Sequence, residues 1–190
     1  MKILKFIIWL TIVFSAGCSQ RHYIAINPHV PVTPHNFSKP KPVGLKVIDA
    51  RSGNKIAQWR GDFYIRKFTV SPDSDITDVM RQKISEGLFR IGFQPKRMEK
   101  VPTKTLRVEI VQLKSRYKQN LPVMSVKIQS ILRARCKNEG KSYTGTYSDK
   151  KELNSAPAST FPNENLINDS LSDTLRKMFK DKKLISCLAE

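Results

Sequence analysis

The chain has 190 residues, with 34 Lys and Arg against 16 Asp and Glu, a formal net charge of +18. That length fits one compact domain with a short extension. The charge excess draws anionic partners, and only 8 glycines, none in a phosphate-cradling pattern, exclude the nucleotide-binding classes.

Lys2 and Lys5 open the chain, Phe6 to Phe14 form a nine-residue apolar run, and Ser15, Ala16 and Gly17 lead to Cys18. A basic start, a short apolar core and small residues before one cysteine make up a bacterial lipoprotein signal. The run falls well short of the ~20 residues that span a bilayer. Residues 1–17 are therefore read as a removed signal peptide and Cys18 as the lipidated residue; an ordinary secretory leader with an incidental cysteine is the alternative. Ser19 follows the cysteine. By resemblance to lipoprotein sorting in Gram-negative bacteria, a residue other than Asp there implies the outer membrane, with the domain on the periplasmic side. Without Lys2 and Lys5, the mature chain of 173 residues holds 32 basic against 16 acidic groups, a net charge of +16.

Residues 18–42 read as the lipidated cysteine and a tether, because Pro28, Pro31, Pro34, Pro40 and Pro42 break helices and remove ladder donors. His22, His29 and His35 all fall here at spacings that suit no metal site, so no metal is expected. A single domain is expected over 43–190. Val43, Leu45 and Val47 alternate as a strand, and Ser52-Gly53-Asn54 turns the chain. Residues 55–60 and 62–70 are extended, the second run (Phe63, Tyr64, Ile65, Phe68, Val70) more clearly, and Pro72 ends it. Asp49 and Arg51, two apart at a strand end, read as a local ion pair or turn.

A helix starts at Ser74 or Asp75, carries Ile76, Val79, Met80, Ile84, Leu88 and Ile91 at helical spacing, and stops at Gly92. In 104–117, Leu106, Val108 and Ile110 face one way, then the parity switches to Val111 and Leu113, which predicts a bulge near Ile110. Lys118-Gln119-Asn120 turns into 122–136, where Met124, Val126, Ile128, Leu132, Ala134 and Cys136 share a face opposite Ser125, Lys127, Gln129, Arg133 and Arg135. Asn138-Glu139-Gly140 turns into a third strand with Tyr143, Gly145 and Tyr147, and 150–163 reads as a polar loop. A second helix covers about 165–180, with Ile167, Leu171, Leu175, Met178 and Phe179 as its stripe. The order implies an α+β, two-layer sandwich: a mostly antiparallel sheet with two amphipathic helices on one face.

The lipid-signal cysteine, Ile26-Asn27-Pro28, Val47-Ile48-Asp49-Ala50-Arg51 followed by Ile56-Ala57, Leu88-Phe89-Arg90-Ile91-Gly92-Phe93 and the Leu106 to Leu113 strand resemble the YajG family of uncharacterised outer-membrane lipoproteins. The resemblance spans nearly the whole mature chain and implies a lipid-anchored envelope protein. The layout is also similar to that of small accessory lipoproteins of lipopolysaccharide assembly, by fold alone.

No nucleophile–base set stands out, since no histidine lies inside 43–190 and no serine sits in a nucleophile elbow. The expectation is a non-enzyme without cofactor that binds or scaffolds envelope components. Arg107, Lys127, Arg133 and Arg135 on the wet sheet face form the candidate patch for phosphate or carboxylate groups of lipopolysaccharide or peptidoglycan. Export argues against nucleic acid. The alternative is an accessory subunit of a transport or secretion complex, pairing through the edge of 62–70 or 141–148. Cys136 and Cys187 either form a disulfide in the oxidising periplasm or stay as two thiols; the sequence leaves both open.

Overall fold

The computed structural model describes residues 19–34, 40–60, 67–101, 103–120, 123–155 and 163–189. The strands are β1 (Ser19–Ile24), β2 (Lys41–Asp49), β3 (Ala57–Arg60), β4 (Lys67–Pro72), β5 (Phe93–Arg97), β6 (Lys104–Asn120), β7 (Val123–Asn138) and β8 (Lys141–Ser155). The helices are α1 (Ile76–Arg90), α2 (Glu164–Lys180) and α3 (Lys182–Ala189), with a 3-10 turn at Met98–Lys100.

Long alternating runs make β6, β7 and β8 an antiparallel meander, paired from Lys104↔Asn138 to Asn120↔Val123 and from Asn138↔Lys141 to Met124↔Ser155. Glu139 (φ 43) and Gly140 (φ 86) form the tight two-residue turn whose twist matches such strands. The other edge of β6 is shared. Its first half pairs in parallel with β2, which pairs in parallel with β5, while Ser115 meets Ala57 of β3. β3 pairs antiparallel with β4, and β4 pairs parallel with β1. The result is an open, mostly antiparallel eight-stranded sheet. The register shifts between Ile110 and Gln112, where the parity switch predicts a bulge.

In-register neighbours share a face, so Leu45, Leu106 and Cys136 point together into the core with Val108, Ile110, Leu132 and Ala134. α1 packs over β2 and β5, α2 over β7 and β8, and α3 over β6 to β8. The two-layer sandwich is as expected, with three helices among the described residues instead of two. Asp75 caps α1 by accepting from Thr77 N at 2.7 Å, and Gly92 (φ 92) takes the left-handed position beyond the C-terminus. Gly87 lies at a helix crossing: a Cβ there would sit 2.4 Å from the Phe179 ring and 2.9 Å from Val30.

The tether reading is corrected over 19–34. β1 pairs along all of β4, and Ile24, Ile26, Pro28 and Val30 are buried in turn. The stretch after β1 has no strand paired to it among the described residues; α2 supplies its partners. Ala25 N donates to Glu164 Oε2 (3.0 Å), Asn27 N to Asn168 Oδ1 (2.8 Å) and His29 N to Ser172 Oγ (2.8 Å). Two extended residues advance about 6.6 Å and four helical residues about 6 Å, so alternate amides meet every fourth helix residue. Proline suits this strap, because the buried positions need no donor.

Other boundaries move as well. β8 extends to Ser155 through part of the expected loop, β6 continues through the expected Lys118-Gln119-Asn120 turn, and β5 and α3 were not foreseen. β4 is flanked by β1 and β3, so it offers no free edge, whereas β8 pairs only with β7 among the described residues. Residues 61–66, which include the first half of the expected 62–70 strand, lie outside the described residues.

Candidate functional site: the open basic face of the sheet

The face opposite the helices carries the alternate residues of the same strands. Lys46, Arg107, Arg135 and Thr144 stand in register on β2, β6, β7 and β8, three cations on strands about 4.8 Å apart. The next row pairs Ile48, Glu109, Arg133 and Thr146. Glu109 Oε1 accepts from Arg107 Nη2 at 2.9 Å and its Oε2 lies 3.3 Å from Arg133 Nη1. Both guanidiniums remain nearly half exposed (45% and 44%), so each keeps N–H groups for a ligand. Arg135 and Lys46 are exposed and make no ion pair among the described residues.

The four expected patch residues are therefore not one unit. Arg107 and Arg135 are direct neighbours, and Arg133 lies beside them, bound to Glu109. Lys127 is eight residues from Arg135 along β7, roughly 26 Å away, opposite Arg116 and 3.2 Å from Glu152 Oε1. Lys46 takes the place it vacates. Its outward orientation is legible in the alternation of β2, but its neighbour is not, because β2 and β6 pair in parallel across 54 intervening residues.

The two other expected positions stand apart from this face. Cys18 lies outside the described residues. Cys136 and Cys187 are brought together as a disulfide with Cα atoms 6.4 Å apart, joining β7 to α3 on the helix side. Asp181, between α2 and α3, holds the same junction: Oδ2 accepts from Tyr147 Oη (2.6 Å) and Tyr143 Oη (2.8 Å), and Oδ1 accepts from Lys183 N (2.9 Å). Burial raises the Asp181 pKa, but the hydrogen bonds from the two tyrosines and the α3 amides outweigh it and leave it lowered. Burial and the Asp181 carboxylate push the Tyr147 pKa far up. Gly145 leaves room for the Tyr147 ring, since a Cβ would lie 2.1 Å from its hydroxyl.

Among the described residues no cluster of three or more His, Cys, Asp and Glu could hold a metal ion. No described helix is long and apolar enough to cross a membrane. What remains is an α+β domain sealed on one side by helices and presenting a cationic sheet face on the other. The chain belongs to a family of uncharacterised lipoproteins, matched over residues 28–189. No curated protein is similar enough to count as a match. Similar solved structures include a minor lipoprotein from Acinetobacter baumannii (10% identity, TM-score 0.41, 78% of this chain and 91% of that one). Others are a putative neuraminyllactose-binding hemagglutinin homologue from Helicobacter pylori (15%, 0.41, 83% and 95%) and a lipoprotein from Neisseria meningitidis (10%, 0.34, 73% and 98%).

Proposed function

We propose that this lipoprotein is a non-catalytic member of the outer-membrane, YajG-like kind. In this reading it is anchored through a lipid on Cys18 on the periplasmic side and binds anionic envelope components. The observation that carries the binding role is the Lys46–Arg107–Arg135 row on the sheet face that no α-helix covers among the described residues, beside the 3-10 turn that lies over Gly44. Closely spaced guanidiniums suit phosphate and carboxylate groups, such as those of lipopolysaccharide or peptidoglycan. The fold of residues 19–34 adds a geometric consequence. β1 begins one residue after Cys18, so the domain rides on the bilayer surface with no spacer, within reach of anionic headgroups.

The test is co-sedimentation with lipopolysaccharide vesicles and with peptidoglycan sacculi at low and moderate salt. Arg107→Glu with Arg135→Glu is expected to abolish salt-sensitive binding while the protein stays folded; unchanged binding refutes the role of this face. Labelling with radioactive palmitate tests the anchor, and an unlabelled protein refutes it. A second reading, an accessory subunit of an envelope complex, is favoured by the 15 residues of β8, which among the described residues pair on one side only. In-cell crosslinking from Thr144 or Thr146 to a single protein partner distinguishes it from glycolipid binding.

A further inference from the structure

The shared edge of β6 leaves a seam in the sheet. Ala50 N donates to Ile110 O (3.0 Å) at the end of β2, and Ser115 N donates to Ile56 O (2.9 Å) beside β3. Between these two points no backbone hydrogen bond crosses to β6 among the described residues. Val111, the residue at the β6 bulge, lies between these two points, and the exposed residues 52–55 follow Arg51 in the turn from β2 towards β3. The result is a cleft of about 600 Å³, lined by Arg51, Lys55, Ile56, Gln58, Gln112 and Lys114 among others.

Arg51 is the unusual residue of this lining. Its side chain is only 5% exposed. Asp49 fixes one edge of the guanidinium, with Nε to Oδ1 and Nη2 to Oδ2 both 2.8 Å, and also accepts from Arg51 N at 3.1 Å. Nη1 is left buried without an acceptor among the described residues. A buried N–H of a charged group with no partner is costly, and such groups in folded proteins generally meet an acceptor. Burial raises the Asp49 pKa, but its bonds to Arg51 outweigh this and leave it lowered, so the pair is ionised and neutral as a unit. The charge of the cleft then comes from Lys55 and Lys114, both exposed and without an ion pair among the described residues. Among the described residues no carboxylate is part of the lining.

We infer that this cleft binds a carboxylate or phosphate group, one oxygen accepting from Arg51 Nη1 and the charge balanced by Lys55 and Lys114. Lys114 is seven residues from Arg107 along β6, roughly 20 Å away, so the site is separate from the basic row and does not depend on lipidation. Asp49 positions the arginine: it neutralises the buried charge and aligns the fork, which leaves the third nitrogen for the ligand.

The experiment is titration of the purified full-length protein in detergent with inorganic phosphate and, separately, with acetate, at constant ionic strength against chloride. The readout is amide NMR shifts. Saturable shifts confined to 51–55 and 111–115 are expected with at least one anion, and the tighter one tells phosphate from carboxylate sources. Lys55→Ala with Lys114→Ala, both at exposed positions, should weaken binding at least tenfold without changing the rest of the spectrum. Arg51→Lys should abolish it while keeping the charge. Arg107→Glu with Arg135→Glu should leave it intact, which separates this site from the basic row. Absence of saturable shifts with both anions, or undiminished binding in the double lysine variant, overturns the inference.

Discussion

β6, β7 and β8 carry two different faces on the same backbone. The inward residues Ile110, Ala134, Cys136 and Tyr147 meet helices, the disulfide and Asp181, whereas on the outward face Arg107 and Arg133 pair with Glu109 and Arg135 stays exposed with no ion pair among the described residues. Because the side-chain period of a strand is two, adjacent residues such as Arg135 and Cys136 belong to separate physical systems. Substitutions on one face should change folding and leave ligand binding alone; substitutions on the other should do the reverse.

The strongest test on the inner face is the disulfide. Its cysteines are 51 residues apart, and a loop of that size contributes about 4 kcal/mol in the chain-entropy picture. Cys136→Ser with Cys187→Ser should therefore lower the urea midpoint sharply, and α3 should lose amide protection first. If the midpoint barely moves, the docking of α3 rests on Leu184, Leu188 and Asp181 instead.

Next in size is Asp181→Ala, which removes the acceptor of two tyrosines and the cap of α3 together, an expected loss of about 2–3 kcal/mol. The same contacts set a pH window. The carboxylate has a lowered folded pKa, so its contribution is present above the ordinary 3.8 and is lost as pH falls through the folded value. The tyrosines have raised folded pKa values, so their contribution is present below the ordinary 10.0 and is lost as pH rises through the folded values. Urea midpoints across pH should show a plateau bounded on both sides, and Asp181→Ala should flatten both slopes.

A smaller effect is expected at Ser130, where Oγ lies 2.8 Å from Ser170 Oγ and 2.6 Å from Thr174 Oγ1 between β7 and α2. Ser130→Ala should cost about 1 kcal/mol, since α2 keeps its Thr174-to-Ser170 carbonyl bond at 2.9 Å. An unchanged midpoint would mean that the hydroxyl cluster only fills space.

How much of this was legible follows from how local each signal is. α1, α2, the meander and the bulge were readable because periodicity, caps and parity lie within each segment. Ser130 is hard to read because it is a polar residue interrupting an apolar face, and its partner hydroxyls sit 40 and 44 residues later. The strap reads as a tether because prolines and polar residues mask the alternation of Ile24, Ile26, Pro28 and Val30, which is the available signal. Its donors are satisfied by Glu164, Asn168 and Ser172, residues that period counting on α2 assigns to the solvent side. The Lys46 row and the Arg51 cleft depend on parallel pairing of β2 and β3 with β6, which no local pattern announces.

The smallest stability effect sharpens the comparison most. Arg135→Ala removes an exposed side chain with no ion pair among the described residues, one step along the chain from a fully buried cysteine. Exposed substitutions of this kind stay within about 0.5 kcal/mol. Its removal also brings no change at Glu109, which keeps Arg107 and Arg133 as partners. The urea midpoint should therefore match the parent, while co-sedimentation with lipopolysaccharide vesicles at low salt should fall severalfold, because the row loses its outer cation on β7. Equal binding by Arg135→Ala and parent would place the anionic ligand elsewhere on the protein. A large drop in midpoint would instead show that the open face also contributes to holding the sheet together.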